Sequence, residues 1–124
     1  MSNEIFKIGH RGAKGHIIEN TLESIQKALD LGVDGIEIDV HLCASGELVV
    51  FHDFTVNRMT DGTGEISKLT LKELKKLKVK DRYQIPTLSQ VLLLIDNKCL
   101  LNIELKGINT AKEACRLIAF FVEK

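Results

Sequence analysis

Two short runs of this sequence alternate apolar with ionisable side chains. In Gly35 to Leu42, an extended backbone puts Ile36, Ile38, Val40 and Leu42 on one face and Glu37, Asp39 and His41 on the other. In Cys99 to Leu105, Leu101, Ile103 and Leu105 share a face, while Asn102, Glu104 and the following Lys106 share the opposite one. Glu37, Asp39 and Glu104 are thereby offered to a common interior. Clustered buried carboxylates repel one another and need a cation to stay ionised. An all-oxygen donor set suits one hard divalent ion, Mg²⁺ or Ca²⁺. The pattern leaves a second reading open, in which these carboxylates pair with Arg11 and Lys106 as a structural ion network.

His10 and His52 each close a β-rich run, which is where parallel α/β folds present ligand sites. Imidazole titrates near neutral pH, so a pair of them can take a proton from one oxygen and give one to another, as cleavage of a phosphate ester demands. His16 reads as a loop residue and His41 as a neighbour of the metal ligands, each with a weaker claim. Arg11 lies in a turn between Gly9 and Gly12, and its planar fork suits phosphate oxygens, to which Lys106 adds a point charge. There is no G-x-S-x-G elbow, P-loop or H-E-x-x-H, so serine, cysteine and zinc mechanisms have no positive support.

The elements that must position these groups follow from periodicity and capping signals. Strands are expected at Ile5 to Gly9, Gly35 to Leu42, Leu48 to His52 and Cys99 to Leu105. Helices are expected after Asn20 or Thr21, stopped by Gly32, and after three capping boxes: Thr70 with Glu73, Thr87 with Gln90, and Thr110 with Glu113. This alternation predicts βα units around a four-stranded parallel sheet, with the irregular stretch 53–69 as a functional loop over the site mouth.

The 124 residues, 44% hydrophobic, suffice for a single domain, 1–124. Seventeen Lys and Arg balance 17 Asp and Glu, so no whole-chain field draws in nucleic acid, and an anion must be caught by a local site. Three scattered cysteines predict reduced thiols, and the apolar runs are too short for a signal peptide or a bilayer span. A soluble, cytoplasmic chain is the expectation.

Taken in order, His10-Arg11-Gly12, Glu19-Asn20-Thr21, Glu37-Ile38-Asp39, His52-Asp53 and Glu104-Leu105-Lys106 resemble the ordered motifs of the glycerophosphodiester phosphodiesterases. Thr60 to Gly64 (T-D-G-T-G) and Pro86 to Leu88 add to the likeness, which reaches to about Gly107. The resemblance implies an α/β fold of TIM type, a (β/α)₈ barrel. It also implies a divalent metal held by Glu37, Asp39 and Glu104, His10 and His52 as general acid and base, and Arg11 and Lys106 on the phosphate. The substrate would be a small glycerophosphodiester, attacked by its own neighbouring hydroxyl and released as glycerol 3-phosphate and an alcohol.

Two departures stand out. Ile18 occupies the place where the family usually has proline. The length is the larger one, because a whole barrel needs about 250 residues and this chain supplies about four of its eight βα units. The open sheet edges then predict a homo-oligomer or a complementing C-terminal half. An inactive remnant, or a noncatalytic metal- or phosphate-binding half-barrel, are the alternatives.

Overall fold

The computed structural model describes residues 7–12, 17–107 and 109–122, which excludes His16 and the start of the first expected strand. Strand β1 is Ile8–His10, helix α1 Leu22–Asp30, strand β2 Gly35–Leu42 and strand β3 Leu48–Val50. A 3-10 turn, Ile66–Lys68, precedes α2 (Leu71–Lys75), α3 (Leu88–Ile95), β4 (Leu100–Leu105) and α4 (Thr110–Val122).

Local chemistry accounts for these bounds. Thr21, extended at φ −106°, accepts a hydrogen bond from the Ser24 N–H (3.0 Å) and starts α1, and Gly32 at φ +73° follows its end. Thr70 with Glu73 and Thr87 with Gln90 form complete reciprocal capping boxes. The third expected box does not form. Thr110 is already helical, its hydroxyl donates back to the Lys106 and Gly107 carbonyls, and Glu113 pairs with Arg116 instead.

β2 is the axis of the sheet. β1 pairs with it in parallel (Ile8↔Gly35, His10↔Glu37), and β4 does so on the opposite edge (Gly35↔Leu100 through Val40↔Leu105). β3 runs antiparallel to β2, with Val40↔Val50 and Leu42↔Leu48. Because β4 already holds Val40 from one side, β3 must share the edge used by β1, placed end to end with it. The expected four-stranded parallel sheet is therefore corrected to three parallel strands and one antiparallel. The physical reason is the connection Cys43 to Glu47, turning at Gly46 (φ +92°): it is far too short for a parallel crossover, which needs a dozen residues or more. The count of four βα units falls to three with it.

The outer face of β2, carrying Ile36, Ile38 and Val40, is buried against Ile25 and Ala28 of α1, Leu88, Val91 and Ile95 of α3 and Ala114 of α4. Each fully buried Ile, Leu or Val contributes about 1.5–3 kcal/mol. A second core gathers Cys43, Val49, Phe51, Val56, Met59, Ile66, Leu74, Val79 and Ile85. It makes the irregular 53–69 stretch a packed element: Val56 N–H donates to Gly64 O, and Asp61 accepts from the Lys78 N–H (3.0 Å). The T-D-G-T-G motif serves this packing, since a Cβ on Gly62 would come within 2.5 Å of Leu77.

Candidate active site

The inner face of the sheet carries the ionisable residues. Asp39 is 2% exposed and accepts from Asn20 Nδ2 (3.1 Å), while its backbone N–H donates to Asn20 Oδ1 (3.4 Å). The register places Glu104 beside it, and the two carboxyls share a hydrogen bond. Burial, with Glu104 adding to it, pushes the Asp39 carboxyl up, while the hydrogen bond from Asp39 and the nearby Lys106 hold Glu104 down. Lys106 Nζ lies 3.2 Å from Glu104 Oε1.

Glu37, two residues back on β2, takes other partners. Its Oε1 is 3.3 Å from His10 Nε2, and its Oε2 accepts from Asn102 Nδ2 (3.4 Å). Arg11, at φ +52° in its turn, directs Nη1 to both oxygens of Glu19 (3.1 and 3.0 Å), and its Nε lies 3.6 Å from Asp39 Oδ2, buried without a hydrogen bond. The ion pairs Arg11 to Asp39 and Lys106 to Glu104 are those of the second reading the sequence left open.

His52 reaches this face by an unexpected route. It does not stand at the end of a parallel strand; the antiparallel β3 carries it back along β2, where the Phe51 N–H donates to Asp39 O (2.9 Å). It still lies close enough to interact electrostatically with both Asp39 and Glu104. Its Nδ1 lies 2.9 Å from Asp53 Oδ1, and Arg58 grips the same carboxylate with Nε (2.8 Å) and Nη2 (3.0 Å). Arg58, then His52, hold the Asp53 carboxyl down at about 2. His41 is buried, which lowers its pKa; its Nε2 donates to the His52 carbonyl (3.2 Å), and Phe54 meets the ring edge-on.

The structure therefore brings Asp39, Glu104, Lys106 and His52 together and sets His10 with Glu37 alongside. Among the described residues, no three His, Cys, Asp or Glu side chains converge as a ready metal-holding group. The donors nevertheless fit a hard cation: all three acids lie on one face at adjoining registers, and Asp39 and Glu104 adjoin across the β2–β4 pairing. Convergence requires Glu37 to give up His10. Glu19, Asn20, Asp53 and Arg58 are site residues that side-chain chemistry alone did not single out; all but Arg58 sit in the ordered motifs that carry the resemblance.

A partial parallel sheet with helices outside, and acids, histidines and cations gathered on its inner face, is the frame of an α/β protein with a polar site on the sheet. Residues 10–121 match the glycerophosphoryl diester phosphodiesterase family, and the chain belongs to it. It is 45% identical over 108 residues to a glycerophosphodiester phosphodiesterase of Caldanaerobacter subterraneus, covering 81% of this chain and 44% of that one. It is 41% identical over 75 residues to human glycerophosphodiester phosphodiesterase 1, covering 60% of this chain and 23% of that one. Among solved structures, an Oleispira antarctica phosphodiesterase in complex with its product sn-glycerol-3-phosphate superposes with a TM-score of 0.85 at 36% identity, over 90% of this chain and 51% of that one. The Thermotoga maritima glycerophosphodiester phosphodiesterase superposes at 0.80 and 32% identity, over 98% and 50%. The chain thus spans about half the length of these bacterial relatives.

Proposed function

We propose that this chain carries the metal and acid/base half of a (β/α)₈ barrel that hydrolyses glycerophosphodiesters to glycerol 3-phosphate and an alcohol. The observation that carries this reading is the arrangement on the inner face: the Asp39 and Glu104 carboxyl pair, with Lys106 on it and His52 beside it, next to His10 on Glu37. Family membership and the product bound to the Oleispira relative support the substrate class.

In this reading Glu37, Asp39 and Glu104 hold one divalent ion, Mg²⁺ or Ca²⁺, which when bound supplies charge neutralisation at the phosphate. His10 and His52 take and return the protons, one from the attacking glycerol hydroxyl and one to the leaving alkoxide, and then reverse roles to open the cyclic phosphate with water. Lys106 and Arg11 place positive charge where the phosphoryl oxygens develop negative charge. The 53–69 segment, which sends Asp53, Phe54 and Arg58 to the site, lies over its mouth. A cavity of about 210 Å³ lined by His41, Leu42, Phe54, Lys106 and Thr110 is the space for the leaving alcohol. Three free cysteines, and no described helix long and apolar enough to cross a membrane, are in keeping with a cytoplasmic place. The rest of the pocket is supplied by further barrel strands, whether in the same chain, a second copy or a complementing C-terminal half. A noncatalytic metal- or phosphate-binding role is the second reading.

Release of glycerol 3-phosphate from glycerophosphocholine, with Mg²⁺ and Ca²⁺ supplied separately, tests the proposal. Metal-dependent release is expected, abolished in His10→Ala and reduced at least about a hundredfold in His52→Ala. Metal should also raise the thermal midpoint, and Asp39→Ala or Glu104→Ala should erase that rise. Folded protein that is stabilised by metal yet releases nothing favours the noncatalytic reading.

A further inference from the structure

We infer that Arg58 is a positioning residue for His52: it clamps the Asp53 carboxylate that holds His52 Nδ1, leaving Nε2 as the nitrogen available for proton transfer. This rests on the reading of His52 as a proton-transfer group, but its geometry stands by itself. Asp53 Oδ1 lies 2.9 Å from His52 Nδ1, and Arg58 occupies both oxygens, Nη2 at 3.0 Å from Oδ1 and Nε at 2.8 Å from Oδ2. A carboxylate beside a two-toothed guanidinium stays ionised, consistent with the low pKa of Asp53. An ionised carboxylate only accepts, so the hydrogen between it and the ring must sit on Nδ1. Asp53 follows His52 directly and has no rigid strand beneath it; the second grip of Arg58 keeps its plane from swinging away.

Arg58 also reaches back toward β1. Its Nη2 is 3.6 Å from Glu19 Oε2, and Glu19 is held by Arg11, the residue after His10. Arg11 O in turn accepts from the Asn20 N–H (2.8 Å) and from Ser24 Oγ (3.2 Å) at the head of α1. The arginine thus ties the segment carrying one histidine to the turn that follows the other. Its side chain is 54% exposed, so removing its charge opens no cavity in either core.

Imidazole ¹⁵N spectra of the labelled chain at mildly alkaline pH, with His52 assigned through His52→Gln, read the tautomer directly. The neutral ring is expected as the Nδ1–H form in the wild type, as a mixture in Arg58→Gln, and largely restored in Arg58→Lys, with all three proteins folded and the thermal midpoint of Arg58→Gln lower by no more than a few degrees, the loss of its ion pair with Asp53. An Nε2–H ring in the wild type, or an Nδ1–H ring that survives Arg58→Gln in folded protein, overturns the inference. These readouts need no turnover, so they decide the point even if the chain hydrolyses nothing. Where glycerol 3-phosphate is released, Arg58→Gln should lower kcat about tenfold or more with KM within about twofold. An unchanged kcat would overturn the positioning role.

Discussion

Asn20 shows how a small residue can fix the position of a buried carboxylate. Its φ of +55° is a conformation asparagine tolerates better than most, and it lets one amide hold Asp39 by both its side chain and its backbone N–H. The E-N-T motif contained that information, but a turn conformation is invisible to side-chain periodicity. Asp53 behaves differently, because its carboxyl is held down by a guanidinium rather than raised by burial. Its folded pKa of about 2 lies below the ordinary 3.8, so its stabilising effect is fully present above pH 4 or so and is lost as pH falls through 2. Asp53→Asn should therefore cost about 1–2 kcal/mol near neutral pH, shrinking to nothing at the acid end of the window. Urea midpoints of both proteins across that range check this, and a constant difference would show that the ion pair is not its source.

At the scale of elements, β2 was legible to the residue because its two faces differ so sharply in polarity, and α1 because Thr21 and Gly32 bracket an amphipathic run. The direction of β3 was not read, although the shortness of 43–47 holds the answer. The third capping box failed because a Thr and a Glu three apart are necessary for the motif but do not fix where the helix begins. The carboxylates of the proposed metal site were legible as a set of residues on one face and not as a geometry, since strand alternation gives side and register but says nothing of which partner a free carboxylate chooses. Two substitutions probe these elements. A Cβ on Gly9 would lie 2.6 Å from the Gly12 carbonyl oxygen and 3.2 Å from Ala28, so Gly9→Ala should cost about 1–3 kcal/mol by forcing β1 off α1. Thr87→Ala, which removes the cap of α3, should cost about 0.5–2 kcal/mol. Thermal or urea unfolding measures both.

For the whole molecule, the inner face and the outlying edges of β1 and β4 have no described strand beside them. Leu100 is 64% exposed and Leu105 44%, both on β4. Sedimentation velocity of the 124-residue chain should accordingly show concentration-dependent association, weakened in Leu100→Lys, because a charge on an exposed edge discourages strand addition. A monomer at all concentrations would indicate that these edges are self-sufficient.

The end-to-end sharing of one β2 edge by β1 and β3 also bears on the order in which the protein assembles. Val40 meets Val50 across a tight hairpin but meets Leu105 only after the long stretch between β3 and β4 has been made. Local pairings close sooner than distant ones, so the hairpin is available as a template well before β4 can dock. During synthesis, then, β2 waits with one edge bare and Asp39 without Glu104, and the step that adds β4 is the same step that brings the two acids together.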